Sequence, residues 1–245
     1  MLKAIVKKTK KIALLPLIIG DYFAFKKAAG RNGRFTVNLG DAYPCPFDKT
    51  MLTGFDRHYV YHTAWAARKV AYIKPEVHTD ISSSLYFSSI VSAFVPVTFY
   101  DYRPADLQLS GLLSEKADLL ALPFADNSVA SLSCMHTVEH VGLGRYGDPI
   151  DLDGDLKAIK ELQRVLAPGG SLLFVVPIGK AKIQFNAHRI YSYAMIMEYF
   201  NDLELREFSL IPETSGSMIV NATREQADEE AYGCGCFWFV KKGNG

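Results

Sequence analysis

The stretch Asp155-Leu156-Lys157-Ala158-Ile159-Lys160-Glu161-Leu162-Gln163-Arg164-Val165-Leu166-Ala167-Pro168-Gly169-Gly170-Ser171-Leu172-Leu173-Phe174-Val175-Val176-Pro177 carries two periodicities in succession. Leu156, Ile159, Leu162, Val165 and Leu166 recur at helical spacing and predict one apolar face of a helix over 155–166. Pro168-Gly169-Gly170 ends that helix. Residues 172–176 are then wholly apolar, as suits a central strand covered by helices on both faces. Helix followed by buried strand is half of a βαβ unit.

The alternation extends in both directions. Upstream, residues 56–70 read as a helix with Asp56 as its cap and Tyr59, Ala66, Ala67 and Val70 near helical spacing. Strands follow at 77–81, 97–101 and 129–135, with a helix at 86–94. Downstream come a helix at 191–200 and strands at 203–209 and 235–240. This pattern predicts an α/β fold with a doubly wound, mostly parallel, Rossmann-like sheet, in which ligands bind outside the carboxyl ends of the strands. Residues 30–54 are rich in turn formers, among them Gly30, Gly33, Gly40, Pro44 and Pro46. The chain therefore divides into an N-terminal extension and lid, 1–55, and one α/β domain, 56–245.

Composition narrows the partners. With 245 residues, 49% of them apolar, the chain has material for one large core. Its 27 basic and 26 acidic side chains leave a net charge of +1, so no global field gathers nucleic acid. Cys45, Cys134, Cys234 and Cys236 are too few and too unevenly spaced for a disulfide scaffold or a four-ligand zinc site, and read as reduced thiols of a cytoplasmic protein. Lys3, Lys7, Lys8, Lys10 and Lys11 precede the apolar run Ile12 to Ile19, which Pro16 interrupts and Gly20 and Asp21 close. That run is far short of the roughly 20 apolar residues of a membrane span. Two readings stand: a helix packed on the domain, or an interfacial helix whose lysines face anionic lipid.

Polar residues concentrate at the strand ends. The first strand runs into Asp80-Ile81-Ser82-Ser83-Ser84 and the second into Asp101-Tyr102-Arg103-Pro104. Asp101 stands where an acid can accept hydrogen bonds from both hydroxyls of an adenosine ribose; alone, it reads equally well as a surface carboxylate. No glycine lies between Gly54 and Gly111, which argues against a pyrophosphate-bearing dinucleotide.

Further motifs carry a resemblance. Asp118-Leu119-Leu120-Ala121-Leu122-Pro123-Phe124 resembles the adenine-facing loop of class I S-adenosylmethionine-dependent methyltransferases. Val138-Glu139-His140-Val141 and the Arg164-Val165-Leu166-Ala167-Pro168-Gly169-Gly170 stretch are similar to the fourth strand, helix and fifth strand of small-molecule O-methyltransferases. Closer likeness lies in Thr53-Gly54-Phe55-Asp56-Arg57-His58-Tyr59, Asp101-Tyr102-Arg103-Pro104, His136-Thr137-Val138-Glu139-His140-Val141-Gly142 and Phe185-Asn186-Ala187-His188-Arg189-Ile190-Tyr191, which resemble the methyltransferase-like family catalogued as domain of unknown function 268. Members of that family carry His-x-Asp-Ile-Gly-Ser in the first loop, where this chain has Ser82 at the glycine position.

The resemblance implies S-adenosylmethionine as cofactor. Asp80, Ser82, Ser84, Asp101, Tyr102, Asp118 and Leu119 would bind it, with Asp118 on the adenine amine and Leu119 packed on the ring. It implies methyl transfer to the oxygen of a small hydroxylated or sugar-like acceptor, or else a non-catalytic binding or scaffold protein that keeps the fold. His140 and His136, beside Glu139, are the candidate bases; each can equally hold a turn. Tyr146, Asn186, His188 and Arg189 are candidate acceptor contacts, Arg189 alternatively serving as a helix N-terminal residue tied to Glu139 or Asp148. His136-Thr137-Val138-Glu139-His140 matches the H-x-x-E-H zinc pattern, but that pattern needs a helix, and the following glycines disfavour one, so no metal is expected. Cys234 and Cys236 read as small packing residues, Trp65 as core, and Arg57, Tyr59 and His62 as either a lid or the polar side of the leading helix.

Overall fold

A computed structural model describes residues 14–214 and 216–243, the side chains of Arg31 and Asn32 excepted. The lysine cluster at 3–11 and the start of the apolar run, through residue 13, lie outside the described residues. The chain divides into two compact units between Phe55 and Asp56. The first holds one long helix, α1 (Leu15–Asn32), closed by Gly33 in the left-handed conformation. Leu15, Leu17, Ile19, Phe23 and Phe25 of α1 are all exposed, and no described helix is long and apolar enough to cross a membrane.

The second unit is built on one mixed sheet. Its elements are α2 (Arg57–Ile73), β1 (His78–Ile81), α3 (Leu85–Val91), β2 (Val97–Asp101), β3 (Leu112–Lys116), β4 (Val129–Met135), α4 (Gly154–Val165), β5 (Leu166–Ile178), a hairpin of β6 (Lys182–Gln184) and β7 (His188–Ile190), α5 (Tyr193–Tyr199), β8 (Leu203–Ile211), β9 (Ile219–Val220), α6 (Arg224–Glu229) and β10 (Gly233–Lys241). The strand order is β3-β2-β1-β4-β5-β10-β8-β9, the first five parallel and β10 antiparallel to both neighbours. The doubly wound, mostly parallel expectation is met.

Two apolar layers form for the reason the central run implied. Leu172, Phe174, Val176 and Ile178 of β5 enter one core with Ala158, Ile159, Leu162 and Val165 of α4, Ile196 of α5 and Ala227 of α6. Leu173 and Val175 enter the other with Trp65, Ala66 and Val70 of α2 and Phe87 and Val91 of α3. Alternate side chains of one strand thus serve opposite faces, as the period of two requires. Trp65 is core, as expected, and its indole N–H donates to Glu207 Oε1 at 2.8 Å.

One boundary differs from expectation. Pro168-Gly169-Gly170 does not lie in a separate turn; α4 passes at Leu166 straight into β5, and the three residues sit in a register shift between Val129↔Leu166 and Ser131↔Ser171. Gly169 has φ +74°, and at Gly170 a Cβ would stand 2.7 Å from Ala167 O, so the bulge depends on both glycines.

Candidate active site

Strand order reverses between β1 and β4, and the crevice outside their carboxyl ends is where such sheets take ligands. Beneath it lies a buried polar network. Ser133 donates to Asp80 Oδ1 at 2.5 Å, and Ser88 donates to Asp80 Oδ2. Because the Ser133 proton is used there, His78 Nε2–H must donate to Ser133 Oγ at 2.9 Å, and His78 Nδ1 accepts from Ser131 Oγ at 2.8 Å. Burial holds the His78 pKa down to about 3 and pushes Asp80 up to about 6 against the lowering effect of its serine donors. Asp80 is wholly buried with both oxygens taken, so it supports the crevice floor and does not reach a ligand directly, contrary to its expected role.

Above that floor an open cleft of about 460 Å³ is lined by Ser83, Ser84, Leu85, Tyr86, Phe99, Asp101, Arg103 and Ala105. Asp101 ends β2 half-buried. Its Oδ1 accepts from the Arg103 N–H at 2.7 Å, and Oδ2 has no hydrogen bond or ion pair among the described residues. Of the expected cofactor residues, the structure brings Ser84 and Asp101 together here. Ser82 is turned aside: at φ +53° it occupies the left-handed region that glycine favours, and its hydroxyl donates to Tyr100 O at 3.1 Å. Tyr102 is exposed, with Lys116 Nζ 5.6 Å from its ring. Asp118 is exposed and closes a tight turn by accepting from the Leu120 N–H at 2.9 Å. That turn points Leu119 into the core, which corrects its expected place against an adenine ring. Tyr86 carries no motif, and only the fold places it at the cleft; Arg103 belongs to the Asp101-Tyr102-Arg103-Pro104 stretch, which assigns it no role.

The loop after β4 holds the second group of polar residues. Val138–His140 forms a single 3-10 turn, after which Gly142 at φ +78° brings the chain against Asp151, whose carbonyl would stand 1.9 Å from any Cβ at that position. Asp148 staples the loop, accepting from the Gly142 N–H at 2.8 Å, Gly144 at 3.3 Å and Tyr146 at 3.2 Å. The two-turn helix that H-x-x-E-H needs is therefore not formed, and His136 and His140 face different partners.

His140 Nδ1 lies 2.7 Å from Ala187 O, which can only accept, so Nδ1 carries the proton and Nε2 keeps its lone pair. Arg145 donates to the same carbonyl at 2.8 Å and stands 3.3 Å from Nδ1. Burial lowers the His140 pKa, while Glu139, 4.0 Å from Nε2, opposes that effect. The ring meets Tyr146 edge-on at 5.8 Å and His188 at 6.2 Å.

His136 is different. It is buried, Nδ1 donates to Glu139 Oε1 at 2.8 Å, and Nε2 lies 3.4 Å from Cys234 Sγ. With both nitrogens engaged it is not placed to take a proton from a ligand. Burial disfavours its charged form, yet Cys234 and Glu139 hold its pKa above the ordinary value. Burial also keeps the Cys234 thiol well above its own, so at neutral pH the sulfur is an S–H and the upward pull on His136 rests on Glu139. From α2, His58 stacks on the His136 ring at 5.8 Å and His62 meets it edge-on at 4.9 Å. Burial, then the charge of His136, lowers the His58 pKa to about 4.

Of the expected acceptor contacts, His188 joins this group and stacks on Tyr232 at 5.1 Å. Asn186 sits in the exposed β6–β7 turn at φ +24°. Arg189 is a strut, not a clamp: it is buried, donates to Val141 O at 2.7 Å and Leu152 O at 3.0 Å, and pairs at 3.4 Å with Asp155, not with Glu139 or Asp148 as expected.

Parallel order 3-2-1-4-5 with an antiparallel strand inserted before the next is the class I methyltransferase fold. Residues 124–230 match the family model described as Caenorhabditis protein of unknown function, DUF268, as the motifs implied. Among solved structures, the YcgJ protein of Bacillus subtilis is similar with 15% identity and a TM-score of 0.54, covering 75% of this chain and 99% of that one. The N-methyltransferase NodS of Bradyrhizobium japonicum WM9, in complex with S-adenosyl-L-homocysteine, is similar with 16% identity and a TM-score of 0.52, covering 76% and 87%. The 1,6-didemethyltoxoflavin-N1-methyltransferase of Burkholderia thailandensis is similar with 11% identity and a TM-score of 0.51, covering 74% and 79%. At these identities the likeness is one of fold. No curated protein sequence matches the chain.

Proposed function

We propose that the chain is an S-adenosylmethionine-dependent methyltransferase acting on an oxygen of a small hydroxylated or sugar-like acceptor. The observation that carries this reading is Asp101, a half-buried carboxylate with one uncommitted oxygen, in a cleft beside the reversal of strand order. A carboxylate at that place suits the two ribose hydroxyls of an adenosine. Ser84 offers a small hydroxyl where the phosphate-free cofactor needs no glycine-lined loop, whereas the Ser83 hydroxyl is held inside, accepting from the Met135 N–H at 3.0 Å and bonding Asp80. S-adenosylmethionine, when bound, supplies a methyl group on a positively charged sulfur. The chain supplies position, which accounts for most of the rate in such a displacement.

His140 supports the assignment to oxygen. Its ring is neutral, its tautomer is fixed by Ala187, and the Nε2 lone pair is free to take a hydroxyl proton. Tyr146 and His188 flank it as acceptor contacts. Calorimetric titration with S-adenosylmethionine and with its demethylated product tests the cofactor: binding is expected, and Asp101→Ala should abolish it. No heat and no thermal shift with either compound overturns the reading. In His140→Gln the cofactor affinity should survive while turnover falls by about 10²- to 10⁴-fold; an unchanged rate removes His140 from the chemistry.

A second reading has its own support. Leu15, Leu17, Ile19, Phe23 and Phe25 of α1 are exposed beside Lys26 and Lys27, which suits a scaffold held at an anionic membrane surface. Flotation with vesicles containing phosphatidylserine tests it, and a chain that stays in the soluble fraction rejects it.

A further inference from the structure

We propose that His58, His136 and Cys234 form a site for one zinc ion with an open coordination position. The three come from separate elements: His58 from the first turn of α2, His136 from the residue after β4, and Cys234 from the start of β10. One ligand atom from each lies within 4.8 Å of the others. His136 Nε2 and Cys234 Sγ are 3.4 Å apart. Nitrogen and sulfur bound tetrahedrally to zinc, at about 2.0 and 2.3 Å from the metal, stand roughly 3.5 Å apart.

The surroundings have the form of a second coordination layer. A metal-binding histidine gives its other ring N–H to a carboxylate or carbonyl, which fixes the tautomer and aims the lone pair. His136 does this with Glu139 Oε1 at 2.8 Å, and the second Glu139 oxygen is buried without a partner among the described residues. His62, which is not one of the three ligands, donates from Nδ1 to His58 O at 2.6 Å, so its Nε2 lies buried and unpartnered among the described residues, beside the His136 ring. An unpaired acceptor kept out of water is costly, and two lie around this one cluster. The Cys234 thiolate and the Glu139 carboxylate would together balance the charge of Zn²⁺. Two imidazoles and a thiolate suit zinc, and three protein ligands leave the fourth position for water or for an oxygen or sulfur of a bound molecule. The pairing differs from the H-x-x-E-H pattern, since His140 is tied instead to Ala187.

The test strips the full chain with a chelator, restores it with Zn²⁺ and, in parallel, with Co²⁺, and measures metal content and absorption. About one zinc per chain is expected, together with a thiolate-to-cobalt charge-transfer band in the Co²⁺ form. Cys234→Ser should abolish the band and, like His58→Asn, weaken zinc binding by at least about 100-fold. Glu139→Gln should weaken it by roughly 10- to 100-fold, and Cys134→Ser should change neither readout. No zinc above background, no thiolate band in the unsubstituted protein, or undiminished zinc in Cys234→Ser overturns the site. The cobalt spectrum reads sulfur ligation without any substitution, so a variant that fails to fold does not shield the proposal. None of these readouts depends on S-adenosylmethionine, so failure of the cofactor titration and failure of the metal site are separately visible.

Discussion

His78 and Asp80 show how one buried network couples two opposite titrations. The folded protein keeps His78 neutral down to about 3, below its ordinary 6.5. Its contribution to stability is therefore full above pH 6.5 and is lost as pH falls from there toward 3. Asp80 titrates at about 6 in the folded protein, above its ordinary 3.8. Its contribution is full below 3.8 and is lost as pH rises through 6. Between pH 4 and 6 the two slopes oppose each other. Asp80→Asn removes the falling one, so its melting temperature should climb more steeply with pH across that window than that of the unsubstituted protein; parallel curves would reject the network. Such pairings are only partly legible in sequence. Asp101 is readable because a strand end fixes its place. His58 and Cys234 are not, because what makes them neighbours of His136 is contact across the fold, 98 positions from His136 in the case of Cys234. Leu119 misleads for a local reason: the turn closed by Asp118 reverses the side on which the next side chain falls.

The helices and strands with the strongest apolar patterns, α2, α4, β4 and β5, are legible because burial on two faces or one stripe dictates their composition. β3, β6, β9 and α6 are not, because they are short and largely exposed, and β7, though mostly buried, is only three residues long, too short to show a period. The Pro168-Gly169-Gly170 segment is half legible: it marks the end of α4 but not the bulge that keeps it within β5. Helix α2 matters most for the site, since its first turn carries His58 and Tyr59. Asp56 caps it, accepting from the Tyr59 N–H at 3.1 Å. Asp56→Ala should cost about 1 kcal/mol in denaturant unfolding and should lower zinc affinity more than Thr223→Ala, which removes the cap of distant α6 at a similar cost. Equal zinc affinity in the two variants would show that the start of α2 does not set the cluster.

In the whole molecule, the division at Phe55/Asp56 has a direct test. A chain of residues 56–245 should unfold in one cooperative transition, because both apolar layers lie within it. A broad or absent transition would show that the first 55 residues are needed for the core. Glu207 of β8 ties that core to α2, accepting from Trp65 and pairing with Lys69.

The place of β10 between β5 and β8 also bears on biosynthesis. Of the sheet's described strands it is the last in chain order, yet it fills an interior slot. Until it is synthesised, β5 and β8 each present a bare row of amides and carbonyls to solvent, a period in which a nascent chain is most open to chaperones and to pairing with its neighbours. A stop codon before residue 233 would make that exposure permanent, so loss of β10 should remove folded protein and not merely shorten it.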